Sequence, residues 1–325
     1  MKERLNQVLR STTGYQVQRP LPPELRPERL QGEVARLQRQ VTKLRKRSQE
    51  AAEANAALQD DLAAERTTAR KAVARRDRLK RQVARMKERA EEQEEARRAK
   101  ERADFDDRAL KIIDLVAERT MTPPLRVFGL VEAVRYVQRA GVPGAIVECG
   151  VWRGGSMQAV AWALQGEGAT DRDLHLYDTY EGMTPPTEED VRSRDGRSAA
   201  ELLEESSMEA RVWAFATLED VQEGMRETGY PEERLHYHVG PVEETIPGEA
   251  PEQIALLRLD TDWYASTKHE LEQLYHRIAP GGVLVLDDYG DWEGARRATD
   301  EFLETLDAPI LLMPLSGGRI AVTPG

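Results

Sequence analysis

Ala145-Ile-Val-Glu-Cys-Gly150-Val-Trp-Arg-Gly-Gly155-Ser-Met157 starts as an apolar run and breaks into glycines before helix-forming residues resume. A short apolar run closed by glycines and followed by a 3.6-residue period reads as a buried strand turning into a helix. Glycines let the backbone approach a ligand, and the new helix offers free N–H groups. A dinucleotide-binding turn would read G-x-G-x-x-G around a pyrophosphate. Here the first spacing differs, and Glu148 stands two residues before Gly150. A carboxylate at that place suits a cationic ammonium better than a phosphate.

Outward from this stretch, short apolar runs alternate with helical patterns, the signature of βαβ units and a parallel sheet. Strands are expected at 145–150, 174–178, 235–240, 254–260 and 282–288, with helices near 154–165, 217–228, 266–278 and 293–306. Two last runs, 309–315 and 318–323, meet at Ser316-Gly317-Gly318, which predicts an antiparallel hairpin closing the sheet. The fold class is α/β, a doubly wound, Rossmann-like sheet of seven strands with a reversed C-terminal pair. That is the layout of class I S-adenosylmethionine methyltransferases. Nicotinamide-binding Rossmann domains lack the final reversed strand.

The 325 residues carry a net charge of −11, but the charge is divided. Residues 1–25 carry +2, 26–104 carry +8 and 105–325 carry −21, so two kinds of structure are expected. Between residues 28 and 104 there is no proline, and Gly32 is the one glycine. Apolar residues there follow a heptad, with Leu30, Leu37, Leu44, Leu58, Leu79 and Met86 at d and Val34, Val41, Leu62 and Val83 at a. β-branched residues at a with leucine at d favour a parallel two-stranded coiled coil, and Asn55 at a would set its register. Glu65 at d and Arg76 at a weaken the seam. The expected domains are therefore a flexible leader (1–27), a coiled coil that makes a homodimer (28–104) and a catalytic body (105–325). The basic residues of the coil alternate with acids and no aromatic residue lies in 26–104, so nucleic-acid binding is not expected. A lone cysteine, Cys149, excludes a disulfide framework. With no long apolar run and no apolar leader core, a cytoplasmic protein without a membrane span is expected.

Ligands of open α/β sheets sit beyond the carboxyl ends of the strands. The expected strands end in Glu148 and Gly150, Asp178, Gly240, Asp260 with Asp262, and Asp287 with Asp288. Asp178 alone could be a turn residue; about 30 residues after Glu148, it reads better as a ribose ligand. Asp260 and Asp287-Asp288 end successive strands. If those strands are neighbours, about 4.8 Å apart, the three carboxylates converge. Three anions held together repel unless protonated or bound to a metal, and an oxygen-only set favours Mg²⁺. Asp260-Thr261-Asp262 also matches the D-x-D of metal-dependent glycosyltransferases, which is the alternative function. His236 and His238 share one strand face, as a base, ligands or simple packing. Residues 180–199 are polar and turn-rich, either a lid or a surface loop.

The chain closely resembles the macrocin O-methyltransferase (TylF/MycF-like) family from Thr120 onward. The matching blocks include Ile146-Val-Glu-Cys-Gly-Val-Trp-Arg-Gly-Gly-Ser-Met157, Asp178-Thr-Tyr-Glu-Gly-Met183, Ile254-Ala-Leu-Leu-Arg-Leu-Asp-Thr-Asp-Trp-Tyr264 and Asp287-Asp-Tyr-Gly290. The resemblance implies Mg²⁺-dependent transfer of a methyl group from S-adenosyl-L-methionine to a sugar hydroxyl of a natural product, such as an antibiotic, or a related glycan. It implies Glu148, Gly150 and Ser156 at the methionyl end, Asp178 at the ribose, and Gly240 with Val242 near the adenine. Asp260, Asp287 and Asp288 would be metal ligands, and Asp260 or Asp262, with His238 behind them, would take the hydroxyl proton. Asp291 stands where many members have histidine. A third possibility makes the body an inactive module on a coiled-coil scaffold.

Overall fold

The computed structural model describes residues 27–208 and 210–324, together with residues 4 and 7. The leader expected over 1–27 lies almost wholly outside them. The chain divides into two compact units, residues 1–95 and 96–325.

The first unit is dominated by one helix, α1 (Pro27–Glu101), 75 residues long. At 1.5 Å per residue it extends roughly 110 Å. The apolar residues of the expected seam from Val34 to Met86 are exposed along it.

The second unit runs α2 (Asp107–Val116), α3 (Pro124–Arg139), β1 (Ala145–Cys149), α4 (Gly155–Gly166), β2 (Leu174–Asp178), β3 (Val191–Arg192), β4 (Arg197–Ser198), α5 (Ala199–Glu204) and α6 (Leu218–Glu227). It continues with β5 (Leu235–Val239), α7 (Val242–Thr245), β6 (Ile254–Leu259), α8 (Tyr264–Leu274), β7 (Ile278–Leu286), α9 (Glu293–Leu303), β8 (Met313–Leu315) and β9 (Gly318–Val322). All seven expected strands form one sheet, in the order β5-β2-β1-β6-β7-β9-β8. The first five are parallel, β9 runs antiparallel to β7, and β8 antiparallel to β9. Strand β7 begins four residues earlier than its sequence suggests, because Pro280-Gly281-Gly282 bends within it rather than preceding it.

Successive strands leave β1 in one direction to β2 and β5, and in the other from β6 to β7. The carboxyl ends of β1 and β6 thus flank the point where the winding reverses, the usual ligand crevice of such sheets. Helices cover both faces. Ile112, Val116, Val127, Leu130, Leu164 and Met225 of α2, α3, α4 and α6 join one core cluster, and Leu271 and Leu274 of α8 join the other. The sequence reading did not anticipate α2 and α3. Asp106 caps α2 by accepting from the Arg108 and Ala109 amides, and Pro124 occupies the first turn of α3, where its missing N–H costs nothing.

The polar stretch expected as a loop is partly ordered. Strands β3 and β4 pair as a short hairpin, with Arg192 bridged to Trp292 and the Ser193 amide donating to the Asp291 carbonyl at 2.9 Å. Leu202 and Leu203 of α5 join Trp263 and Trp292 in a third core, the two indoles edge to face at 4.9 Å. The hairpin and α5 are therefore packed against Trp263 and Trp292, and Trp292 lines the crevice.

Gly150, directly after β1, has φ +81, and a Cβ there would lie 2.0 Å from the Asp260 carbonyl oxygen. Its first duty is to let β1 leave the sheet beside β6. Gly150→Ala should lower stability by more than about 2 kcal/mol, from left-handed strain plus backbone displacement, measured by chemical denaturation. A change below half that value would contradict this assignment.

Candidate active site

A cavity of about 400 Å³ opens over the carboxyl ends of the parallel strands. Gly150, Asp178, Gly240, Val242, Asp260, Asp262, Asp287 and Asp288 all line it, as their sequence positions predicted. Two expected cofactor residues, Glu148 and Ser156, do not line it. Glu148 is turned along the sheet toward its register partner on β6 and is 1% exposed; Ser156 is buried in the first turn of α4. A direct contact of either with the methionyl end is therefore withdrawn.

What Glu148 meets is Arg258, in the middle of an otherwise apolar strand. This guanidinium, 2% exposed, is ion-paired with Glu148 and lies 2.7 Å from Asp260 Oδ2 and 2.7 Å from Asp287 Oδ1. It also donates to Thr122 Oγ1 at 2.8 Å. From α3, Arg126 reaches Asp287 Oδ2 at 2.5 Å and Asp291 Oδ2 at 2.8 Å. Two arginines thus bind Asp260 and Asp287, two of the three carboxylates whose mutual repulsion calls for a metal or protons. The signals were present: a lone arginine within Leu-Leu-Arg-Leu, and a lone glutamate within Ile-Val-Glu-Cys. Buried charges occur in pairs, and these two are directly opposite each other.

Oxygen atoms of Asp260, Asp287 and Asp288 nonetheless lie within 4.8 Å of one another. Burial, then the charges of neighbouring aspartates, lifts the carboxyls of Asp260 and Asp288 well above their ordinary range, although Arg258 pulls Asp260 down. Burial and the nearby Asp260 push Asp262 up to about 7. Burial likewise raises Glu148 to about 7 against the pull of Arg258. Negative charge therefore remains in excess. Hard oxygen donors fit a divalent cation, with Asp288 free of arginines, Asp260 shared with Arg258, and Asp287 shared with Arg258 and Arg126.

The Asp262 backbone, at φ +67, aims its N–H at Asp288 Oδ2, 3.0 Å away. Asp178 accepts from the amides of Val151 at 2.8 Å, Trp152 at 3.0 Å and Tyr180 at 2.9 Å. It thus ties the glycine turn to the end of β2 while facing the cavity. The histidines stand apart. His238 pairs with Glu249 at 2.7 Å and with His175 at 3.0 Å, and His236 lies 3.2 Å from Asp173. Neither His236 nor His238 lines the cavity, although Tyr177, stacked on His238 with ring centroids 4.0 Å apart, does. A proton-accepting role for His238 is withdrawn. Asp291, where a histidine was expected, is the surface partner of Arg126.

A sheet of this order with an acid-lined crevice at its switch point defines a class I methyltransferase fold. Residues 51–313 match the macrocin-O-methyltransferase (TylF) family, and the chain belongs to it. The match begins inside α1, so it reaches further toward the N-terminus than the resemblance read from Thr120. The chain is 35% identical over 170 residues to the 8-demethyl-8-(2,3-dimethoxy-alpha-L-rhamnosyl)-tetracenomycin-C 4'-O-methyltransferase of Streptomyces olivaceus, covering 52% of this chain and 62% of that protein. It is 32% identical over 170 residues to the mycinamicin III 3''-O-methyltransferase of Micromonospora griseorubida, covering 52% of this chain and 65% of that one. It thus spans under two thirds of these relatives' lengths. The structure of the O-methyltransferase NovP superposes on 64% of this chain and 83% of its own, with a TM-score of 0.55 and 26% identity. Family membership removes the glycosyltransferase reading of Asp260-Thr261-Asp262.

Arg258→Met should cost roughly 3 kcal/mol or more, because Glu148 stays buried without its partner. Adding Glu148→Gln should restore part of the loss, as read by denaturation. The raised carboxyls also set a pH trend. Their native forms bind protons more tightly than the unfolded chain, so the stability they contribute is full below about pH 4 and lost as pH rises through 7. His175, lowered to about 4 by burial, and His238 act oppositely, but only below about 6.5. Between pH 6.5 and 8, without divalent cations, Tm should therefore fall. Mg²⁺ should raise Tm more at pH 8 than at pH 6.5; an equal or reversed effect would count against the cation site.

Proposed function

We propose that this chain is a soluble, cytoplasmic, Mg²⁺-dependent O-methyltransferase that moves a methyl group from S-adenosyl-L-methionine to a sugar hydroxyl of a natural-product glycoside or surface glycan. The observation that carries this reading is the convergence of Asp260, Asp287 and Asp288 beside a cavity walled by Gly150, Asp178 and Gly240. Family membership supports the methyl-transfer class. The names of the two relatives, one specifying a rhamnosyl-bearing tetracenomycin and the other mycinamicin III, support a sugar-bearing acceptor. Among the described residues no helix is long and apolar enough to cross a membrane.

In this reading Asp178 faces the ribose, Gly240 and Val242 flank the adenine, and Gly150 borders the methionyl chain. Asp260 and Asp288 would hold the cation, with Asp287 as the third carboxylate. When bound, S-adenosylmethionine supplies an electrophilic methyl group and Mg²⁺ lowers the pKa of the acceptor hydroxyl. The residues of the chain fix the attacking oxygen and take its proton. Asp262, with a carboxyl near 7, is suited to accept a proton near neutral pH, and Asp260 is the neighbouring alternative. Arg258 and Arg126 position these carboxylates rather than react.

The apolar stripe of α1 supports a parallel coiled-coil homodimer. A lone helix gains little from propensity, and leucines at d with valines at a bury their side chains when a second copy packs on them.

Asp288→Ala should reduce Mg²⁺-dependent methyl transfer at least about 100-fold while S-adenosylhomocysteine affinity, by calorimetry, stays within about twofold. Undiminished activity in EDTA would contradict the metal assignment. By sedimentation the full chain should be dimeric, and Leu37→Glu with Leu44→Glu and Leu58→Glu should yield monomer. A dimer that survives all three changes would place dimerisation elsewhere.

A further inference from the structure

The cavity is lined by groups of both signs. Asp260, Asp262, Asp287 and Asp288 line it from the strand ends, and Arg192, Arg194 and Arg211 from the β3–β4 hairpin and the turn after α5. Among the described residues, Asp195 is the single acid within ion-pair distance of these arginines. Arg192 grips it with Nε at 3.0 Å and Nη2 at 2.7 Å, whereas Arg194 reaches the same carboxylate only at 3.9 Å. Arg211 has no ion-pair partner among the described residues. Among the described residues, three cavity-lining guanidinium groups thus have one carboxylate as their ion-pair partner. This happens in a body whose residues 105–325 carry −21, where an arginine would ordinarily find an acid at hand.

The arginine wall is also anchored. Arg192 bridges to Trp292, and the Ser193 amide donates to the Asp291 carbonyl, so the hairpin is fixed to the segment just after Asp288. An anion held by the arginines would sit at a set offset from the carboxylates. A neutral glycoside offers such a wall nothing. A phosphoanion presents several strong acceptor oxygens, which planar guanidinium groups bind in bidentate fashion. A doubly charged phosphate or diphosphate also balances the excess of two positive charges better than a single carboxylate does.

We propose that the sugar acceptor carries a phosphate or diphosphate, and that Arg192, Arg194 and Arg211 hold it while the sugar hydroxyl lies at the carboxylate wall. This rests on the methyltransferase reading but replaces its glycoside acceptor with a phosphorylated or nucleotide-linked sugar. In the diphosphate case, methylation precedes glycosyl transfer, since the phosphoanion leaves when the sugar is attached.

The test is calorimetric titration of the full chain, saturated with S-adenosylhomocysteine in EDTA so that no cation bridges the anion. The probes are inorganic phosphate, inorganic pyrophosphate, a nucleoside diphosphate and a uronic acid. Pyrophosphate or the nucleoside diphosphate should bind, weaken as salt is raised, and lose at least tenfold in affinity in Arg194→Gln/Arg211→Gln, with S-adenosylhomocysteine affinity retained as the check on folding. Tighter binding of the nucleoside diphosphate than of pyrophosphate assigns a nucleotide-linked sugar; equal binding assigns a simple sugar phosphate or diphosphate. No binding of any phosphoanion, equal binding in the variant, or preference for the uronic acid overturns the proposal. Failure of S-adenosylhomocysteine itself to bind overturns the methyltransferase reading instead.

Discussion

The guanidinium of Arg258 is the hub on which the site depends. It lies inside the sheet and ties Glu148 at the end of β1 to Asp260 beyond β6 and Asp287 beyond β7. Burying a single cation costs many kcal/mol, and so does burying any of these anions alone; paired with one another they become tolerable. The arrangement makes three neighbouring strand ends mutually dependent. It also leaves the acids outnumbering the arginines, which gives the crevice its remaining negative charge. Gly150 serves the same junction, since any side chain there would push the β1 turn off the Asp260 carbonyl.

Around this hub the cavity is polar in a directional sense. Carboxylates converge at the switch point, Arg192 and Arg194 of the hairpin and Arg211 after α5 line the same cavity, and Trp292 belongs to both the third core and the cavity lining. The proposed divalent cation would sit at the carboxylates and the proposed phosphoanion at the arginines. In the proposed reaction the sugar hydroxyl lies between them, where a cation would lower its pKa and a carboxylate would take its proton.

Much of this was legible from the sequence for a physical reason. Strands of a parallel sheet are buried on both faces and read as continuous apolar runs, so β1, β2, β5 and β6 fall where Ala145, Leu174, Leu235 and Ile254 announce them. Their ends carry the chemistry, and eight of the ten expected site residues line the cavity. The failures share a cause. Glu148 was judged by its distance along the chain from Gly150, whereas its orientation is decided by Arg258 on a strand remote in sequence. His238 lies two residues before a cavity-lining glycine, Gly240, yet its ring pairs with Glu249 and His175. Arg126 acts from α3, a helix before the first strand that the alternation of runs did not reveal. Pairings across the sheet are what a single sequence states least directly.

The central claim is that this crevice transfers a methyl group to a sugar hydroxyl with a divalent cation bound. The most direct measurement is transfer of labelled methyl from S-adenosylmethionine across free sugars, sugar phosphates, nucleotide sugars and glycosylated scaffolds, with Mg²⁺ and with EDTA. The account predicts label on a sugar oxygen in the presence of Mg²⁺ and its loss in EDTA. Label appearing equally in EDTA, or none on any sugar although S-adenosylhomocysteine binds, would contradict it.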